Sequence, residues 1–206
     1  LTDDERNVIY YLTVYNEPMA QPVEPENVHR EGILRGMYLY AAGSSEGLPE
    51  SAPRVQLLAS GVGMGWALEA QELLRSDWGV VADVFSVTSW NELRRDGLRC
   101  DEAAFLNPDA EAPVPWVTQQ LAGRPGPVVA VSDYMRAVQD QIAQWVPGDF
   151  SSLGADGFGF SDTRPAARRF FHIDGPSMAV QALQALAARG EVDASVPLEA
   201  ASRYRL

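Results

Sequence analysis

Three runs dominated by apolar residues, Val55–Ala59, Val80–Val87 and Val128–Val131, each precede a stretch in which apolar positions return at helical spacing. Those stretches are Met64–Trp78, Trp90–Gly97 and Tyr134–Val146. Short β-rich runs followed by amphipathic helices predict parallel strands with crossover helices on both faces of the sheet. A fourth unit starts in "DFSSLGADGFGFSD", where a strand leads into a Gly/Asp loop. The chain then turns helical through "TRPAARRFFHI" and "PSMAVQALQALAARG". In the latter Met178, Val180, Leu183, Leu186 and Ala187 approximate one face, and Gly190 is placed to stop the helix. The fold class is α/β, and no internal repeat or low-complexity tract interrupts it.

The N-terminal part follows another pattern. "NVIYYLTVYN", Asn7–Asn16, is rich in β-formers and has the length of one strand. Pro18, Pro22 and Pro25 follow in "EPMAQPVEPEN", which favours an extended linker over helix or strand. A lone strand, a stiff linker and no initiator Met suggest the end of a preceding domain. The expected division is 1–17 for that terminal strand, 18–28 for the linker and 29–206 for the domain proper. "EGILRGMYLYAAG" fits either a helix or a short strand at the domain's entry.

Composition narrows the function. The 206 residues are 46% hydrophobic and 21% charged, which suits one globular core. No apolar run is long enough to span a bilayer, and the start lacks the pattern of a signal peptide, so a cytoplasmic protein with no membrane partner is expected. A net charge of -12 disfavours nucleic acid as a partner, since phosphate binding requires clustered cations. All 16 basic residues are Arg, which excludes a Schiff-base lysine or a phosphate-loop lysine within this chain. The single cysteine, Cys100, excludes an internal disulfide.

Gly61, Gly63 and Gly65 follow the first strand and resemble the start of a dinucleotide loop. The third glycine of that fingerprint belongs at position 66, which is Trp, and the ribose-binding acid belongs where Val87, Thr88 and Ser89 stand. Asp83 lies at the wrong end of its strand. The glycines are therefore read as a tight strand-to-helix turn, with positive φ expected at Gly61. Asp133, Asp156 and Asp162 fall after predicted strands, where they can cap helices and turns or gather as a metal or acid/base group. His172 is placed at a helix end beside core aromatics, and His29 next to the linker. Asp101 and Glu102 would raise the Cys100 pKa rather than activate the thiol.

"YYLTVYNEP", "VQLLASG", "DVFSVTSWNELRRDG", "VVAVSDYMRAV", "LGADGFGFSDTRPAARRFF" and "ALAARGEVD" occur in this order over nearly the whole chain. Together they resemble the C-terminal region of the homodimeric, thiamine-diphosphate-dependent pyruvate dehydrogenase component of bacterial pyruvate dehydrogenase complexes, and the Lys-free style resembles its actinobacterial members. The resemblance implies a transketolase C-terminal-like domain: three layers, α/β/α, around a mostly parallel sheet of about five strands. It implies a parent enzyme that decarboxylates pyruvate and reductively acetylates lipoyl groups, using thiamine diphosphate and Mg2+ held by the preceding domains. This chain would then supply no catalytic, cofactor or metal ligand, and neither His172 nor Cys100 would carry a catalytic role. Implied partners are those preceding domains, a second copy in a homodimer, and the dihydrolipoamide acetyltransferase core.

The part of the chain expected nearest to function is the loop Gly154–Asp162. Its interface candidates are Asp156, Gly157, Phe158, Gly159, Phe160, Ser161 and Asp162, joined by Asp133 at the same sheet edge. The alternative from another class is an independent ligand-binding domain or small hydrolase using Asp133, Asp156 and Asp162.

Overall fold

Alternation along the central strand, with Val55, Leu57 and Ala59 facing one helical layer and Leu58 the other, buries both faces of the sheet. The computed structural model describes residues 9–12, 14–21, 23–25, 30–159 and 161–206. Phe160 and His29 lie outside them, as does part of the strand expected at Asn7–Asn16. The described residues of that stretch run without strand pairing, and Ile9, Tyr11, Leu12 and Val14 are exposed.

The elements are α1 (Arg30–Arg35), β1 (Met37–Ala41), β2 (Arg54–Ala59), α2 (Gly63–Trp78), β3 (Val81–Val87), α3 (Trp90–Leu106) and α4 (Trp116–Leu121). They continue with β4 (Val128–Val131), α5 (Arg136–Asp140), a 3-10 turn (Ala143–Trp145), β5 (Phe150–Leu153), α6 (Arg164–Phe170), α7 (Gly175–Ala188) and α8 (Val196–Tyr204). The five strands lie in the order β1-β3-β2-β4-β5. All neighbours are parallel except β1, which pairs antiparallel with β3. The mostly parallel three-layer arrangement therefore holds: α2, α7 and α8 cover one face, and α3, α4 and the 3-10 turn cover the other.

Local chemistry sets the boundaries. Ser89 accepts from Glu92 N at 3.1 Å and opens α3, and Asp174 accepts from Ser177 N at 2.9 Å and opens α7. Gly79 ends α2 at φ 63, and Gly190 follows α7 at φ 72. "EGILRGMYLYAAG" contains both alternatives, α1 and β1, joined at Gly36 with φ 104.

Two helical expectations change. The helix predicted from Trp90 extends past Gly97 to Leu106, because the Trp145 ring packs on the face that Gly97 leaves bare. The helix predicted over Tyr134–Val146 breaks into α5 and the 3-10 turn. Its first residues are held extended, with the Tyr134 carbonyl accepting from Ala155 N at 2.9 Å and Arg136 N donating to Asp156 at 2.9 Å.

Candidate functional site

The chain leaves β2 toward β3 through α2 on one face, and leaves the adjacent β4 toward β5 through α5 on the other. The loops after β2 and β4 therefore diverge, and the crevice between them is the position at which open α/β sheets bind ligands. Its walls are the Gly61–Val62 turn and Asp133.

Gly61 has φ 54, as the turn reading requires. Gly63 permits close helix-to-strand packing, since a Cβ there would sit 3.2 Å from the Val131 carbonyl, whereas Gly65 faces open space. The first N–H groups of α2 are already used: Gly63 N donates to Ser60 O at 3.0 Å, Met64 N to Gly61 O at 3.2 Å and Gly65 N to Val62 O at 3.3 Å. These tight turns remove the free donors from which a phosphate cradle is built.

A segment from the N-terminal part, Val14–Gln21, crosses this crevice. The Tyr15 hydroxyl donates to Asp133 Oδ2 at 3.0 Å and faces the Gly61–Val62 turn. Burial, reinforced by the Asp133 carboxylate, raises its pKa above the ordinary 10.0. Two residues on, Glu17 Oε2 lies 2.9 Å from Arg168 and 3.2 Å from Arg164, and Arg164 also donates to Asn16 Oδ1 at 2.6 Å. The Arg168 guanidinium stands 5.4 Å from the centroid of the Trp66 ring, so position 66 builds the crevice wall. Cavities of about 740 and 240 Å³ flank Tyr15, the larger bounded by Met19, Tyr38, Tyr40 and Met64, the smaller by Asp133 and Phe171.

The sequence-predicted residues are dispersed around this edge. Asp133 binds Tyr15, Asp156 accepts from Arg136 N at the start of α5, and Asp162 accepts from Thr163 N at 2.7 Å ahead of α6. Each carboxylate thus has a separate partner. Among the described residues no group of three or more His, Cys, Asp or Glu side chains is placed to hold a metal.

Phe158 is 97% exposed between Gly157, at φ 102, and Gly159, and Ser161 is exposed beyond them. Tyr134 and Met135, on the adjoining loop, are exposed as well. His172 follows α6 at φ 55, at a helix end and next to Phe171, which packs against the core; the imidazole itself is exposed. Burial, with Asp96 and Asp101 nearby, pushes the Cys100 thiol up. Asp83 is a structural acid, accepting from Gly43 N and from Arg124, each at 2.8 Å.

Sequence reasoning missed Tyr15, Glu17, Arg164 and Arg168 as members of one site. Their partners stand more than a hundred residues apart in the chain, beyond the reach of periodicity or spacing.

The transketolase-like TK C-terminal domain family matches residues 36–174. The chain belongs to that family. It is 55% identical over 205 residues to the pyruvate dehydrogenase E1 component of Mycolicibacterium smegmatis, covering 99% of this chain and 22% of that protein. Identity to the E1 component of Mycobacterium tuberculosis is 52% over 204 residues, again 99% of this chain and 22% of the relative. For the Escherichia coli K12 protein it is 39% over 205 residues, with the same shares. The chain thus spans about a fifth of the length of these curated relatives, and the identity over 99% of it supports the pyruvate dehydrogenase resemblance over the hydrolase alternative. A split-gene transketolase, described as an inactive beta4 tetramer, superposes with TM-score 0.51 at 17% identity over 81% of this chain and 46% of that one. That likeness concerns the fold alone. No helix among the described residues is long and apolar enough to cross a membrane.

Proposed function

We propose that this chain is the C-terminal domain of a pyruvate dehydrogenase E1 component, whose parent decarboxylates pyruvate and transfers the two-carbon unit reductively to lipoyl groups. The observation that carries the reading is the 55% identity sustained over 99% of the chain. Residues 1–17 are the terminal strand of the preceding domain, 18–28 a linker, and 29–206 this domain. The exposed apolar side chains of Ile9, Tyr11, Leu12 and Val14 support that division, since an unpaired β-rich segment calls for a sheet to join.

Thiamine diphosphate, when bound to such a parent, supplies the electron sink for decarboxylation. The described residues here do not fit it: the N–H groups of Gly63, Met64 and Gly65 are spent on backbone carbonyls, and no acidic cluster is placed for its Mg2+. The reading assigns the cofactor to preceding domains and gives this domain a structural role at the edge of a homodimer. The dimer-contact loop is Gly154–Asp162 with Phe158 as its apolar anchor, because a fully exposed Phe flanked by glycines has no packing role of its own. The acetyltransferase core and a cytoplasmic location follow from the parent's proposed reaction.

Two experiments test this. The genomic frame upstream of Leu1 should continue for several hundred codons, and the long protein should decarboxylate pyruvate with added thiamine diphosphate and Mg2+; a stop codon directly upstream overturns the reading. Calorimetry on the 206-residue chain with thiamine diphosphate and Mg2+ should give no heat of binding, and saturable micromolar binding would sink the structural role.

A further inference from the structure

The crevice between β2 and β4 is filled from within the chain, and its occupant makes the contacts a ligand would make. The Tyr15 hydroxyl takes the position between the Gly61 turn and the Asp133 carboxylate, at the mouth of the strand-to-helix turn. Glu17 presents one carboxylate to two guanidinium groups, the pairing by which arginines bind carboxylate ligands. Met19 packs against the buried cluster behind α2, and Tyr40 donates to the Val23 carbonyl at 2.7 Å.

We propose that this crevice is an intramolecular docking socket: it captures Tyr15-Asn16-Glu17, and so converts the ligand position of the fold into a joint between this domain and the chain that precedes it. Three independent features of the crevice support this. The first is charge. On a chain of net charge -12, Arg164 and Arg168 form a local cationic pair, and the strap answers it with Glu17.

Shape is the second. A Cβ on Gly61 would come within 2.9 Å of the Tyr15 hydroxyl oxygen, so the glycine serves the docked phenol as well as the turn. The third is location. Among the described residues Ile9–Leu12 and Val14 make no anchoring contact, whereas Tyr15, 51% exposed, is held by its hydroxyl and the contacts continue to Val23, so the socket holds a defined segment. Val23 lies seven residues before the start of α1 at Arg30, a distance that lets the strap reach the socket of its own domain. The contacts are this chain's own, and the proposal stands or falls apart from the parent's activity.

Chymotrypsin provides the test, because cleavage after residue 15 requires that the ring leave the socket and enter the protease. In the 206-residue chain at low micromolar concentration, mass spectrometry should find cleavage after Tyr15 about tenfold slower than after Tyr11, which is 90% exposed. Tyr15→Phe keeps a chymotryptic residue but removes the hydroxyl, and Arg168→Gln removes one arm of the Glu17 pair. Each should speed cleavage at position 15 by about fivefold, leave position 11 unchanged and preserve the far-ultraviolet circular dichroism. Equal rates at positions 11 and 15 in the wild type overturn the proposal. So do folded variants with unaltered protection, and so does protection that grows with protein concentration, which would place the strap of a second copy in the socket.

Discussion

Replacing Gly61 and Gly65 separately by alanine should move stability in opposite directions, although the two residues lie four apart in one turn. At Gly61 the backbone has φ 54, and an L-residue held in the left-handed region costs about 1–2 kcal/mol. The new Cβ would also lie 2.9 Å from the Tyr15 hydroxyl oxygen, closer than carbon and oxygen sit without a shift. Tyr15 must then retreat from Asp133, forfeiting a hydrogen bond of about 1 kcal/mol net. The sum is about 2–3 kcal/mol, or a melting temperature lower by roughly 5–10 °C for a chain of this size.

Gly65 differs in both respects. It lies in the first turn of α2 without positive φ, and a Cβ there meets nothing within 4 Å. Alanine should therefore stabilise by about 0.5 kcal/mol, through helix propensity and a less free unfolded chain. Thermal melts followed by circular dichroism, with urea titrations to obtain free energies, measure both. Gly61→Ala within 0.5 kcal/mol of the wild type, or both variants shifting the same way, would refute the assignment of strain to position 61 alone.

Phe158→Ala should leave the stability of this chain unchanged to within about 0.5 kcal/mol and weaken self-association of the long parent protein in sedimentation; a large loss of chain stability would show that Phe158 packs inward. Gly97→Ala should cost about 1–3 kcal/mol in urea unfolding despite its helical position, because the Cβ would enter the Trp145 ring. The Tyr204 hydroxyl accepts from Trp78 and donates to Asp77, and burial with the Asp77 carboxylate pushes its pKa from 10.0 up to about 12. A folded value above the unfolded one means the contribution to stability is whole below pH 10 and is lost as pH climbs to about 12, so the stability gap between wild type and Tyr204→Phe should close over that interval.

What the sequence disclosed was what short-range physics controls. Val55–Ala59, Val80–Val87 and Val128–Val131 are each too apolar to be anything but buried strands, and three of them with intervening helices leave few topologies. Trp66 in place of the third glycine, together with the missing acid at Val87–Ser89, argued against a dinucleotide loop, and in the structure Gly63 already makes the close packing contact. The break of Tyr134–Val146 was hidden, because the groups that hold its first residues extended come from Ala155 and Asp156, elsewhere in the fold. The helices α4 and α8, of 6 and 9 residues with prolines at or near their starts, carry too little periodicity to register.

The strap was hidden for a further reason. Tyr15, Asn16 and Glu17 appear in the sequence as the end of a β-rich segment, and nothing local distinguishes a tyrosine that will pair in a sheet from one whose hydroxyl will enter a distant turn. The distinction arises only when β2 and β4 become neighbours and their loops part, since that sets the Gly61 turn and the Asp133 acceptor on opposite walls of one crevice. A glycine turn of this kind thus marks a place where something polar can approach the backbone closely, without fixing what approaches. In dinucleotide-binding domains the visitor is a pyrophosphate held by free N–H groups. Here the first donors of α2 are turned inward to Ser60, Gly61 and Val62, the turn meets a tyrosine hydroxyl, and the negative charge two residues on is received by two arginines. The same turn therefore favours a tethered peptide over a phosphate, and it is this redistribution of donors, more than the missing third glycine, that separates a joint from a cofactor loop.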